Sequence, residues 1–152
     1  MASDYSVTEL VPHSGRMSLL TKILDYGDGW LAAEVEIKTD SMFSDEFGVP
    51  SWVGLEYLAQ AIGAYAGLQE RLHGGAPKLG FLLGTRKYTS TKEYFSIGSI
   101  LTIKVIKNLQ AENGLSAFDC ILHSSDDCDA SARLNVFQPK NADEFLKGAK
   151  SE

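Results

Sequence analysis

Residues 49–73 read VPSWVGLEYLAQAIGAYAGLQERLH. Pro50 and Ser51 form a start signal, with Ser51 expected as the N-cap whose side-chain oxygen accepts an orphan backbone N–H. Gly74, Gly75 and Pro77 form the matching stop. The spacing predicts a helix of about 22 residues, roughly 33 Å long at 1.5 Å per residue. From Trp52 to Leu68 its only ionisable residue is Glu56 and its only amide is Gln60. A helix apolar nearly all round is expected to be buried nearly all round. It is too polar in the middle, and lies in too polar a chain, to span a membrane.

Two details make this stretch more than a core helix. Ala59, Ala61, Gly63, Ala64, Ala66 and Gly67 are all small, so close packing against the helix axis is expected, as under a sheet curled around it. Three interior glycines, Gly54, Gly63 and Gly67, each cost about 1 kcal/mol relative to alanine, which close contact must recover. Glu56 and Gln60 are four apart and share a face with Gly63 and Gly67. A carboxylate buried among apolar groups is held towards its protonated form, which is how a general acid is built. The plainer alternative puts Glu56 at a solvated helix edge beside a basic side chain; the apolar helix around it favours burial.

A chain of 152 residues is expected to form a single domain over 1–152, with a frayed arm at 1–9 and a frayed tail at 141–152. A net charge of −6 argues against a nucleic-acid partner and against a basic membrane-surface protein. Cys120 and Cys128 do not make a disulfide framework, and MASDYSVTEL lacks the apolar core of a signal peptide. The expectation is a reduced, cytoplasmic protein with no membrane span. Asp126, Asp127 and Asp129 beside Cys128 read as a solvated turn, and neither a metal nor a cofactor is expected.

Around the helix the chain reads as strands. Thr21–Tyr26 precedes a turn at 25–29. Trp30–Lys38 then alternates, with Leu31, Ala33, Val35 and Ile37 on one face, the pattern of a half-buried antiparallel strand. Residues 41–48 form an irregular loop. After the helix come a strand at Leu79–Tyr88, a turn at 94–98 and a strand at Ile100–Lys107 with Leu101, Ile103 and Val105 inward. Asn113-Gly114 marks a hairpin turn, followed by strands at Leu115–Leu122 and Ala130–Phe137. A short helix at 141–150 is expected to close the chain. One long helix and five or six strands predict an α+β domain, the helix wrapped by a curved antiparallel sheet whose edges invite a second copy.

This order, together with four motifs, resembles the hotdog-fold β-hydroxyacyl-(acyl carrier protein) dehydratases. Leu10-Val11-Pro12-His13 with Met17-Ser18-Leu19-Leu20 is similar to that family's N-terminal segment. Pro50-Ser51 followed by Glu56-Tyr57-Leu58-Ala59-Gln60 resembles its helix signature at the same spacing. Phe81-Leu82-Leu83-Gly84 and Ile97-Gly98-Ser99-Ile100-Leu101 match later strand motifs. The stretch GVPSWVGLEYLAQAIGAYAGLQ and the segment RLNVFQP resemble, more narrowly, the branch associated with aryl-polyene pigment gene clusters. The resemblance covers about residues 10–137. It departs at the loop before the helix, where the family's catalytic histidine is replaced by Met42, with Phe43 retained, and at the helix-start glycine, replaced by Ser51.

The resemblance implies an elimination of water from a 3-hydroxyacyl thioester carried by an acyl carrier protein. Such a reaction needs a base at the α-carbon, a donor for the thioester oxygen and an acid for the leaving hydroxyl. Glu56 is the implied acid, and the unpaired N–H groups at the helix start can supply the oxyanion donor. The base is open: His13 is the candidate within the chain, with a plain turn-capping role as its alternative, while His73 and His123 read as solvated. Implied substrate contacts are Met42, Phe43, Ser51, Trp52, Gln60, Phe81 and Gly84. Three classes stand: a dehydratase using Glu56 with His13 or with a partner's histidine, a non-catalytic partner in a heterodimer with a related dehydratase, and a hotdog thioesterase. A homodimer is the other implied assembly. Arg86 and Lys87, with Arg16, are the expected docking patch for the acidic carrier.

Overall fold

The computed structural model describes residues 19–72, 81–110 and 115–137. In chain order these form β1 (Lys22–Gly27), β2 (Trp30–Glu36), β3 (Val49–Pro50), a 3-10 turn (Ser51–Val53), α1 (Gly54–Leu72), β4 (Phe81–Ser90), β5 (Tyr94–Phe95), β6 (Ile100–Gln110), β7 (Leu115–Ser124) and β8 (Asp129–Phe137). Six strands make one sheet in the order β1-β2-β6-β7-β8-β4, every pair antiparallel. β3 and β5 pair separately as a two-stranded ribbon at the helix entrance.

The alternation in the sequence is what sets the two faces. Leu31, Ala33 and Val35 of β2 face inward with Leu101, Ile103 and Val105 of β6, all at most 3% exposed. Phe118, Cys120 and Leu122 of β7 and Ala130, Ala132 and Leu134 of β8 continue that face. α1 lies across it, touching β2, β6, β7 and β8. Tyr57, Leu58, Ala61, Ala64, Tyr65 and Leu68 are buried; the Tyr65 ring meets Phe118 of β7 edge-on at 5.7 Å, and the Tyr57 ring lies 6.2 Å from Phe95 of the β3–β5 ribbon. The expected α+β arrangement therefore holds, with the helix against one covered face.

Several expectations are corrected at the element ends. Ser51 is not the N-cap: Pro50 takes that position, no side chain caps it, and Ser51 opens a 3-10 turn that leads into α1. Residues 51–72 still form the continuous stretch of helical turns that the spacing required. The turn expected over 94–98 instead begins with β5, whose Tyr94 and Phe95 pair with Pro50 and Val49. Asp25–Gly27 belong to β1, leaving only Asp28 and Gly29 in the turn. The Asn113-Gly114 turn, the helix at 141–150, the arm and the tail lie outside the described residues.

The helix glycines divide. A Cβ on Gly54 would lie 2.3 Å from the Tyr88 hydroxyl, so close contact there is real, whereas a Cβ on Gly63 would meet nothing within 4 Å. Gly63 looks away from the sheet, and nothing among the described residues repays its helix cost. Cys120 and Cys128 are both free and buried. Among the described residues no helix is long and apolar enough to cross a membrane. Leu58 is fully buried at the helix–sheet contact, so Leu58→Ala should lower unfolding stability by about 2–5 kcal/mol; urea denaturation followed by circular dichroism measures it.

Candidate active site

Glu56 sits in the first turn of α1, and its side chain is exposed. The expectation of a carboxyl buried within this chain is thus corrected. The sheet covers one side of α1, and Trp52, Glu56, Ala59, Gly63 and Ala66 run along the other, at the spacing that puts residues on one helix face. Gln60, one turn on, is only 4% exposed and works as a bridge. Its Oε1 accepts the Leu19 N–H at 2.8 Å and its Nε2 donates to Glu56 Oε1 at 3.3 Å. The segment entering β1 is thereby fastened to the helix beside the carboxyl, and Glu56 is tethered to Gln60.

The loop before the helix brings two of the expected contact residues together. Phe43 adopts a positive φ of 68°, and its ring stands 5.6 Å from that of Trp52, tilted across it. Both are more than half exposed, at 52% and 62%. Met42, beside Phe43, is half-buried. Gly48 closes the loop with φ of +124°, and a Cβ there would lie 2.1 Å from the Phe95 carbonyl oxygen, so only glycine fits. Trp52 and Glu56, one turn apart, thus form an open shelf with an aromatic rim.

The other expected site residues are less gathered. Ser51 lies at the helix entrance, its N–H donating to the Glu93 carbonyl at 2.8 Å and its own carbonyl accepting the Tyr88 hydroxyl. Phe81 and Gly84 lie on the edge strand β4, Phe81 opposite Phe137 and Gly84 opposite Asn135 beside a register shift. His13, His73 and Arg16 lie outside the described residues. Arg86 and Lys87 fall at a second register shift in β4, where two residues face the single Arg133, and Lys87 is exposed. Among the described residues no cluster of histidine, cysteine and carboxylate side chains could hold a metal. Tyr88 was not singled out by the sequence: an aromatic near a strand end carries no mark of the carbonyl it will bind.

The family model of the ApeP-like family, described as ApeP dehydratase, matches residues 5–147. The dehydratase heterocomplex ApeI:P from Xenorhabdus doucetiae superposes with a TM-score of 0.84 at 27% identity, over 95% of this chain and 97% of that one. A hypothetical thioesterase with coenzyme A from Streptococcus pneumoniae gives 0.58 at 15% identity, over 79% and 88%. The E. coli PaaI protein from the phenylacetic acid degradation operon gives 0.60 at 11% identity, over 77% and 78%. The last two share the hotdog fold and show no more than that. No curated protein matches the chain.

His123 lies on the outer face of the sheet, away from the helix. Its Nδ1 stands 2.6 Å from Asp129 Oδ1, with both side chains 62% exposed. The hydrogen bond to Asp129, helped by the charges of Asp129, Asp127 and Asp126, raises the imidazole above its usual pKa of 6.5. A raised pKa contributes stability that is complete below the unfolded value and is lost as pH rises through the folded one. Asp129→Asn should therefore lower the His123 titration midpoint, read from its ring protons by NMR, while leaving the Glu56 side of the molecule unmoved.

Proposed function

The chain belongs to the ApeP-like dehydratase family, and from that premise we propose that it is a subunit of a 3-hydroxyacyl-(acyl carrier protein) dehydratase. It supplies Glu56 as the general acid, and a histidine of a second, related subunit supplies the base. The observation that carries this reading is the open helix face. Glu56 stands there tethered by Gln60, beside Trp52 and Phe43, and the one histidine among the described residues is on the far side of the sheet. Covering that face with a second hotdog would bury the aromatic rim and shut water away from the carboxyl. The solved relative is itself a heterocomplex.

In the proposed reaction the partner's imidazole takes a proton from the α-carbon, and negative charge grows on the thioester oxygen near the N–H groups at the start of α1. As the double bond forms, the carbon–oxygen bond at the 3-position breaks and Glu56 protonates the departing hydroxyl, giving water and a 2,3-unsaturated thioester. The chain needs neither metal nor cofactor for this. Phe43 and Trp52 flank the acyl chain, with Met42, Phe81 and Gly84 further along its path. The cytoplasm, where carrier-bound acyl chains are made, is the proposed location.

The test mixes the chain with a histidine-bearing dehydratase subunit encoded near it. Sedimentation should show a species heavier than either protein alone, and the mixture should form alkene from a 3-hydroxyacyl carrier substrate. Glu56→Gln should keep the complex and lower kcat by about 10²–10⁴-fold, while His13→Ala changes little. Wild-type turnover by the glutamine variant would move the acid elsewhere. Activity of the chain alone that His13→Ala abolishes would place the base on His13, and carrier release without alkene would favour the thioesterase reading.

A chain of net charge −6 meeting an acidic carrier needs local positive charge. Arg86 and Lys87, joined by Arg16, are the proposed docking patch, and the exposure of Lys87 beside Arg133 on the outer face supports it. Replacing Arg86 and Lys87 by glutamate should slow association with carrier-bound substrate and flatten its salt dependence. Turnover of a small thioester mimic should be unchanged; an equal loss on that mimic would tie the pair to the fold.

A further inference from the structure

The entrance to α1 is gripped by parts of the chain far from it in sequence. The Ser51 N–H, which an open helix start would leave free, is taken by the Glu93 carbonyl at 2.8 Å. The Ser51 carbonyl accepts the Gly54 N–H, which closes the 3-10 turn, and it also accepts the Tyr88 hydroxyl from β4. Both of its acceptor positions are therefore used. The Trp52 N–H, on the other side of that peptide unit, has no partner among the described residues.

A peptide unit is rigid and planar, and in the trans form its C=O and N–H point in opposite directions. Whatever holds the Ser51 carbonyl therefore aims the Trp52 N–H. Tyr88 holds it firmly: its hydroxyl also occupies the space in which a Cβ on Gly54 would stand, with the Phe95 ring filling the rest at 3.1 Å. Phe95 is fully buried and is paired with Val49 across the β3–β5 ribbon. Ser96, the next residue, is braced in turn by Asp126, whose Oδ2 accepts the Ser96 hydroxyl at 2.7 Å. Burial, with the neighbouring Cys128, pushes the Tyr88 phenol up to about 12, so it remains a donor throughout the neutral range.

We propose that Tyr88 is a positioning residue of the dehydratase site: by fixing the Ser51 carbonyl over Gly54, it aims the Trp52 N–H at the thioester oxygen. The inference rests on the function proposed above and adds which N–H of the helix start serves the oxyanion and what holds it there. Tyr88 itself touches neither substrate nor reacting atoms. Its contribution is orientation, so it should act on the transition state more than on ground-state binding.

Tyr88→Phe removes only the hydroxyl. In the complex with the histidine-bearing subunit, kcat should fall about 10-fold or more while KM for a small thioester stays within about twofold. Amide hydrogen exchange should quicken at residues 52–56 and remain unchanged in β6 and β7. Gly54→Ala should be damaging alone and less so in the Tyr88→Phe background, where the atom it collides with is gone. Wild-type kcat in Tyr88→Phe, or exchange that quickens throughout the sheet in step with lost turnover, would overturn the inference. Absence of alkene from the wild-type complex would overturn the function reading and this inference together, so the two failures are distinguishable.

Discussion

A helix that carries Tyr57, Leu58, Ile62, Tyr65 and Leu68 must remove those side chains from water, and a single sheet can cover only one side of it. That constraint shapes the rest of the molecule. The inward residues of β2, β6, β7 and β8 form the surface that receives the helix, and burial of each large side chain there contributes about 1.5–3 kcal/mol. The opposite side of the helix is left with Trp52, Glu56, Ala59, Gly63 and Ala66. The small size of Ala59, Gly63 and Ala66 and the open space at Gly63 leave room for another backbone to approach. The Glu56 carboxyl thus stands, exposed, on the side of the helix away from the sheet.

The helix also has to start in a fixed place, and the sheet secures this from its edge. β4 is the outermost strand beyond β8, and it reaches back to the helix entrance through Tyr88. The β3–β5 ribbon does the same from the other direction, with Val49 and Phe95 both fully buried. Two short pieces of chain on either side of the helix in sequence therefore meet at its first turn. The first turn, where Glu56 lies, is consequently among the best-held parts of an otherwise half-covered helix.

Periodicity made the sheet legible. Leu31, Ala33 and Val35, and again Leu101, Ile103 and Val105, alternate in sequence and are buried as the alternation requires. The helix was equally legible, because breakers bracket an apolar run. What was not legible depends on contacts with no local signature. The β3–β5 ribbon is a two-residue pairing between distant segments, too short to show a period. Ser51 has the chemistry of an N-cap, yet its backbone is drawn into a 3-10 turn by Glu93 and Tyr88, which the local sequence does not reveal. Glu56 was expected to be buried because its neighbours are apolar. Apolar neighbours tell that part of a helix will be covered; they do not tell which of its sides the sheet will take.

The loop before the helix keeps a defined form with Met42 in place of a histidine. Where the dehydratase family resembled by this sequence carries a histidine, Met42 stands, and the next residue, Phe43, turns through a positive φ to set its ring against Trp52. Asp45 and Gly48 exchange backbone hydrogen bonds of 2.8 and 3.2 Å that hold the loop closed, and Gly48 packs against the Phe95 backbone. The loop is thus a built structure with an apolar tip. An apolar tip cannot take a proton from carbon, but it can exclude water and give an acyl chain or a second subunit a surface to pack on. On the proposed reading, Glu56, its Gln60 tether and the clamped helix entrance can serve without a histidine in this loop if the base reaches the site from outside the chain. On that view the exposed aromatic pair and the exposed carboxyl have one explanation: both are halves of contacts that a second subunit completes.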